Sequence, residues 1–116
     1  MTASTISNLL NEAMRALNNR DLAGAETKLK KVLRKEPSSV PALNILVAVL
    51  MNSGRFAEAE PLIERAVKLN RSSDVSFYNF GLILRHLNKP QQAFEQFSKA
   101  LELNSKVAET WNNRGV

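Results

Sequence analysis

The chain has 116 residues, 44% of them apolar and 23% charged, a net charge of +5 and no cysteine. That is enough apolar chain for one core or one short repeat array without covalent staples. The lack of cysteine excludes a disulfide framework, a thiolate nucleophile and a thiolate zinc site, and fits a reducing, cytoplasmic setting.

The opening stretch, "MTASTISNLLNEAMRAL", has no positive segment followed by a continuous apolar run, so it does not read as a secretory signal. The longest apolar run, "ILVAVLM" at 45–51, is too short to span a bilayer. No serine- or glycine-rich linker divides the chain. Lys28, Lys30, Lys31, Arg34 and Lys35 supply much of the positive charge within one predicted helix. This run reads as a solvated face: it is short, has no interleaved aromatics and sits on a second helix, which argues against nucleic acid.

Along the chain, every predicted element is a helix. In "VPALNILVAVLMNSG" a helical apolar pattern ends at Ser53-Gly54, a turn signal, and "FAEAEPLIERAVKLN" follows with Ala59, Leu62, Ile63, Ala66, Val67 and Leu69 on one stripe. Proline falls where helices begin: Pro41 follows Ser38-Ser39, candidate N-caps, in a first turn that needs no donor. Ser72, Ser73 and Asp74 punctuate the next boundary, and Ser105 the last.

Sliding the chain by 34 residues aligns Leu9, Leu43, Phe77 and Trp111, and likewise Ala13, Val47, Gly81 and Gly115. It also aligns Ala25, Ala59 and Ala93, then Leu29, Ile63 and Phe97, then Val32, Ala66 and Ala100. Each unit therefore reads as an antiparallel helix pair. Ala25, Ala59 and Ala93, with Gly81 and Ala100, mark the close crossings, and Phe56, Phe77, Phe97 and Trp111 fill the space beside them. Stacked pairs bury a core that one pair cannot make alone.

The period, the Trp111 and Gly115 spacing, the "GRFAEA" of 54–59 and the "KALELN" of 99–104 resemble the tetratricopeptide repeat (TPR) family. The resemblance covers essentially the whole chain and implies an all-α, right-handed superhelix in a single domain. Its units fall at about 6–39, 40–73 and 74–107, with a fourth begun at 108–116, so the chain is expected to be a fragment of a longer array. Departures from the pattern carry expectations of their own. Arg71 and Ser105 replace the closing proline kept as Pro37, and Pro90 replaces Phe56 and Leu22, so the third turn is expected to be altered. Glu12 falls in an inward-facing slot, which suits a degenerate first unit. Trp111 is expected to dock on the last pair, with Arg114 in place of Phe80 making an imperfect cap.

No nucleophile, base and orienting group assemble from the sequence, and His86 is the only histidine. Neither a phosphate loop nor a metal-ligand spacing is present, so no catalysis, metal or cofactor is expected of this chain. The resemblance implies instead a concave groove lined by the first helix of each pair. Its expected residues are Asn11, Met14 and Asn18; Asn44, Ile45, Ala48 and Asn52; Tyr78, Asn79, Leu82, Arg85 and His86; and Asn112 and Asn113. Asn11, Asn79 and Asn113 share one register, with Ile45 as the exception. A carboxamide is donor and acceptor at once, so such a row suits the backbone of an extended peptide. The asparagine ladder of O-linked N-acetylglucosamine transferases is similar in kind. The alternative is that asparagine is simply an exposed polar residue at this position.

Co-chaperones of the family clamp a C-terminal carboxylate with lysines, arginine and asparagines on the first helices of three repeats. The corresponding stretches here offer Leu10 and Met14, Ile45, and Val75 and Asn79, so no such clamp is evident and that use is disfavoured. The expected function is a non-catalytic protein- or peptide-binding scaffold. The alternatives are a substrate-recruiting part of a TPR-linked transferase, because the first two units look like the N-terminal arrays of bacterial transferases, and a self-association module. A homodimer is expected to form through the exposed C-terminal end.

Overall fold

The computed structural model describes the backbone of residues 2–114 and the side chains of residues 2–105. Six helices follow one another: α1 (Ala3–Asn18), α2 (Leu22–Lys35), α3 (Val40–Asn52), α4 (Phe56–Leu69), α5 (Asp74–His86) and α6 (Pro90–Arg114), with no strand among the described residues. They pack as the pairs α1–α2, α3–α4 and α5–α6, and consecutive pairs stack through α2 on α3 and α4 on α5. The radius of gyration, 15.6 Å, exceeds the roughly 13 Å of a globular chain this long, as stacking in one direction requires.

The helix starts follow from their caps. Ser39 Oγ accepts from the Ala42 amide at 3.3 Å, and Ser73 Oγ accepts from the Ser76 amide at 3.2 Å. The third boundary, expected at Ser105, is absent: α6 runs unbroken to Arg114. One period beyond Ser39 and Ser73 stands Val107, which has no side-chain oxygen to cap a new helix. Trp111, Asn112 and Asn113 lie on this continuation, and their side chains are outside the described residues, as is the expected docking of Trp111. Pro61 departs from the rule that proline opens helices; it sits exposed inside α4.

The turns within pairs are alike. Arg20 (φ 62°), Gly54 (φ 71°) and Asn88 (φ 60°) occupy the left-handed position. The next amide, of Asp21, Arg55 or Lys89, donates to the carbonyl of Ala16, Leu50 or Leu84 at 2.7, 2.8 and 2.9 Å. Pro90 therefore leaves the third turn unaltered, because it stands at the first position of α6, where a helix needs no donor.

The expected crossing residues are buried: Ala25, Ala59, Ala93 and Ala100, with Leu29, Ile63 and Val32 beside them. Glu12 does not point inward as expected but is exposed. Its counterparts Leu46 and Phe80 are buried because a preceding pair covers that side of α3 and α5. At Gly81 an added Cβ would stand 2.6 Å from carbons of the Phe97 ring. Across the period this pair of positions reads Ala13 with Leu29, Val47 with Ile63 and Gly81 with Phe97, the smallest residue opposite the largest.

Ion pairs join consecutive pairs at the same register. The Arg55 guanidinium, in the α3–α4 turn, donates to both Glu26 carboxylate oxygens at 2.6 and 3.0 Å and also pairs with Glu58. One period later, Lys89 pairs with Glu60 at 2.8 Å. Lys30 adds a second cation to Glu26 at 3.0 Å. Arg55, then Lys30, holds the Glu26 carboxyl at about 2, well below its ordinary 4.5, and Arg55 lowers Glu58 as well.

Two expectations follow. Gly81→Ala lowers stability by about 1–3 kcal/mol, the usual cost of overpacking, and Phe97→Leu in the same chain recovers part of the loss; urea melts of the single and double variants check both. Because Glu26 is more acidic folded than unfolded, its contribution is complete above pH 4.5 and fades as pH falls toward 2. Glu26→Gln therefore costs about 1 kcal/mol at pH 7, at the upper end for a surface pair. Denaturation curves of variant and parent should converge on acidification.

Candidate functional site

The first helices α1, α3 and α5 carry the expected groove residues, and the 34-residue register sorts these into rows across the three helices. Asn11, Ile45 and Asn79 form one row, Met14, Ala48 and Leu82 the next, and Asn18, Asn52 and His86 the third. Within a helix these positions are three and four residues apart, so they share one face. An apolar row thus runs between two rows rich in polar groups.

Exposure along this face is uneven. Asn11, Met14 and Asn18 on α1 are open to solvent, whereas Ile45, Ala48, Asn79 and Leu82 are half-buried. Asn52 is exposed, but its amide donates to the Ala48 carbonyl at 2.7 Å, which uses part of its capacity within α3. His86 is exposed as well. Its ring stacks on Phe56, the first residue of α4, with centroids 4.0 Å apart and planes 5° from parallel. It closes the loop end of the α4–α5 joint.

Three of the expected residues sit elsewhere. Asn44 is half-buried between helices, where its side-chain carbonyl accepts from the hydroxyl of the buried Ser76 on α5 at 3.3 Å. Tyr78 and Arg85 belong to the register of Leu10, Asn44 and of Leu17, Met51, which the next pair partly covers. On α5 that side is open, and Tyr78 and Arg85 border a groove of about 580 Å³ between α5 and α6, with Val75, Phe97 and Leu101. Tyr78 leans on Phe97 with ring centroids 5.6 Å apart. The expected set therefore falls on two surfaces: the face of the first helices and the outer side of the last pair. Asn112 and Asn113 lie beyond the described side chains.

A second hollow, of about 760 Å³, opens on the opposite side between α4 and α6, with Phe77 and Phe80 of α5 lining it. Glu60, Glu64, Lys68 and Arg71 give its mouth both signs of charge, so it favours no ligand charge. The sequence reading missed the Glu26–Arg55 and Glu60–Lys89 rungs. Applying the 34-residue offset to charged residues, as well as apolar ones, was the signal that finds them. No helix among the described residues is long and apolar enough to cross a membrane.

Comparison with known proteins agrees with this architecture. The human and mouse proteins named "Protein O-mannosyl-transferase TMTC3" are each 30% identical over 74 residues, which is 64% of this chain and 8% of theirs. The chain thus spans less than a tenth of the length of these relatives. Among solved structures, an O-GlcNAc transferase mutant of Thermobaculum terrenum is 30% identical with a TM-score of 0.81, covering 89% of this chain and 20% of that one. The first TPR of Spaghetti (RPAP3), bound to the HSP90 peptide SRMEEVD, has a TM-score of 0.83 over 100% of this chain and 98% of its own. At 17% identity that second likeness is one of fold. The chain is a TPR-like helical repeat scaffold, and the family model describing the TT21 fifth ARM repeats domain matches it over residues 9–113. With six helices repeating at the period that the sequence carries, the chain belongs to that family of helical repeats.

Proposed function

We propose that the chain is a non-catalytic module that binds an extended peptide, or an extended segment of a protein, across the face of α1, α3 and α5. The supporting observation is the three-row register, in which an apolar strip, Met14–Ala48–Leu82, runs between polar rows holding Asn11, Asn79, Asn18 and Asn52. Packed helices lie about 10 Å apart, close to three residues of extended chain, so successive helices meet a peptide at a regular interval. The apolar strip takes its side chains, and the carboxamides of Asn11 and Asn79 take its backbone carbonyl and N–H groups. Units at 6–39, 40–73 and 74–107, with a fourth begun at 108–116, are part of this reading. Asn113 continues the row of Asn11 and Asn79 in sequence, and Asn112 falls in the register of Asn44 and Tyr78. A helical-repeat neighbour that carries a bound peptide adds support by analogy of fold.

The test is selection of unstructured peptides from a displayed random library on the parent chain, followed by calorimetry. The double variant Asn11→Ala, Asn79→Ala should weaken the selected peptides at least tenfold, about 1.4 kcal/mol, with the thermal midpoint unchanged. Equal affinity for parent and variant would remove this face as the binding surface.

A second reading is favoured by the three proteins at 30% identity, all called transferases by name. On this reading the module recruits acceptor proteins for a transferase domain elsewhere in the same polypeptide. Translating the reading frame beyond Val116 checks it. A transferase domain in frame is the expected finding, and a stop codon directly after Val116 counts against it.

A further inference from the structure

Ser7, Pro41 and Val75 stand one turn before Asn11, Ile45 and Asn79 and share their face of α1, α3 and α5. Positions i, i+4, i+7 and i+11 fall within an arc of about 60° around a helix. Four rows therefore cross three helices on one face. None of these twelve positions holds Asp, Glu, Lys or Arg, in a chain that is 23% charged. His86, on α5 in the last row, is the one titratable group among them. The charged residues of the same helices, Glu12, Arg15, Asp74 and Arg85, all fall in other registers.

The middle helix interrupts the carboxamides. Ile45 stands between Asn11 and Asn79, and the row of Met14, Ala48 and Leu82 has its smallest side chain on α3. Ile45 and Ala48 are half-buried, and the exposed Pro41 adjoins them. The centre of the face is thus apolar, with most space over Ala48, and hydrogen-bonding groups stand one helix away on either side. A ligand charge laid on this centre loses water and meets no partner, whereas an apolar side chain gains by burial.

We propose, resting on the peptide-binding reading of this face, that its ligand is an uncharged segment with a large apolar side chain seated on Ile45 and Ala48. Asn11 and Asn79 hold the backbone on either side of that seat. At about 10 Å per helix and about 3.3 Å per residue, the segment from α1 to α5 has about seven residues, and the seated side chain belongs to its middle. Ala48 sets the size of the side chain that is accepted. The missing charges select against acidic and basic segments alike, and leave the affinity indifferent to salt.

Selection from a displayed random library on the parent chain, followed by calorimetry on the synthetic peptides, tests the ligand class. The selected peptides should lack Asp, Glu, Lys and Arg across their contact window and share one large apolar residue at its middle. Replacing that residue with alanine should weaken binding about tenfold. Affinity should change less than about twofold between about 0.05 and 0.5 M salt. Ala48→Leu fills the seat, so it should weaken the selected peptides about tenfold while binding their alanine-substituted forms as well as the parent does. The peptide-side readouts need only the parent chain, so they decide the matter if Ala48→Leu does not fold.

A shared charge at the middle of the selected peptides, an affinity that falls steeply with salt, or a folded Ala48→Leu chain with the parent's preference would each overturn the proposal. Where Asn11→Ala, Asn79→Ala still weakens such peptides, the face binds peptide and only its ligand class is wrong. Where that double variant binds them equally, the reading of the face itself fails. An empty selection counts against both.

Discussion

The contact on which the stack depends is the close approach of the two helices within each pair, seen most sharply where Gly81 meets the Phe97 ring. A Cβ there would stand 2.6 Å from the ring carbons, so the largest residue of that register requires the smallest opposite it. Alanine at 25, 59 and 93 lets the helices approach along the rest of the crossing. This closeness determines how far the first helix of each pair stands from its neighbours, and hence the spacing of the rows that cross α1, α3 and α5. A change at Phe97 is therefore felt at Tyr78, which leans on the same ring, as well as at Gly81.

Burial between pairs sets how closely they stack, and charged groups add contacts of defined direction. The rungs supply direction. Arg55 grips both oxygens of Glu26 from the following turn, and Lys89 does the same for Glu60 with a single contact. The fork of Arg55 fixes an angle that an ammonium does not, so the first joint is held in a more defined register than the second. His86 stacked on Phe56 gives that second joint an oriented contact at its loop end. One period beyond Glu60, the exposed Phe94 stands in the place of the acid, so that position offers no carboxylate for a rung.

The fold was legible because a period of 34 residues constrains many positions at once, and the caps at Ser39 and Ser73 mark helix starts without reference to the rest of the chain. What the period cannot report is which side of a helix has a neighbour. Glu12 shares its register with buried Leu46 and Phe80, yet it is exposed because no pair covers α1 on that side. Tyr78 and Arg85 were expected in the groove for the same reason in reverse: their counterparts are partly covered by a following pair, and they are not. The boundary at Ser105 fails on one residue, Val107, whose side chain cannot cap. The expected distortion at Pro90 fails because turn geometry is set by the left-handed residue at 20, 54 and 88 and by the amide that follows it, neither of which proline replaces. Asn44 shows the limit of reading function from residue type, since its carbonyl is engaged with Ser76 inside the stack.

Separating the two surfaces changes what a ligand would meet. The face of Met14, Ala48 and Leu82 runs across the stack, so an extended chain laid along it meets one helix of every pair. The groove of Val75, Tyr78, Phe97 and Leu101 belongs to the α5–α6 pair alone, so a ligand there meets two helices and gains nothing from the repeat. Regular spacing therefore favours length in a ligand of the first surface and shape in a ligand of the second.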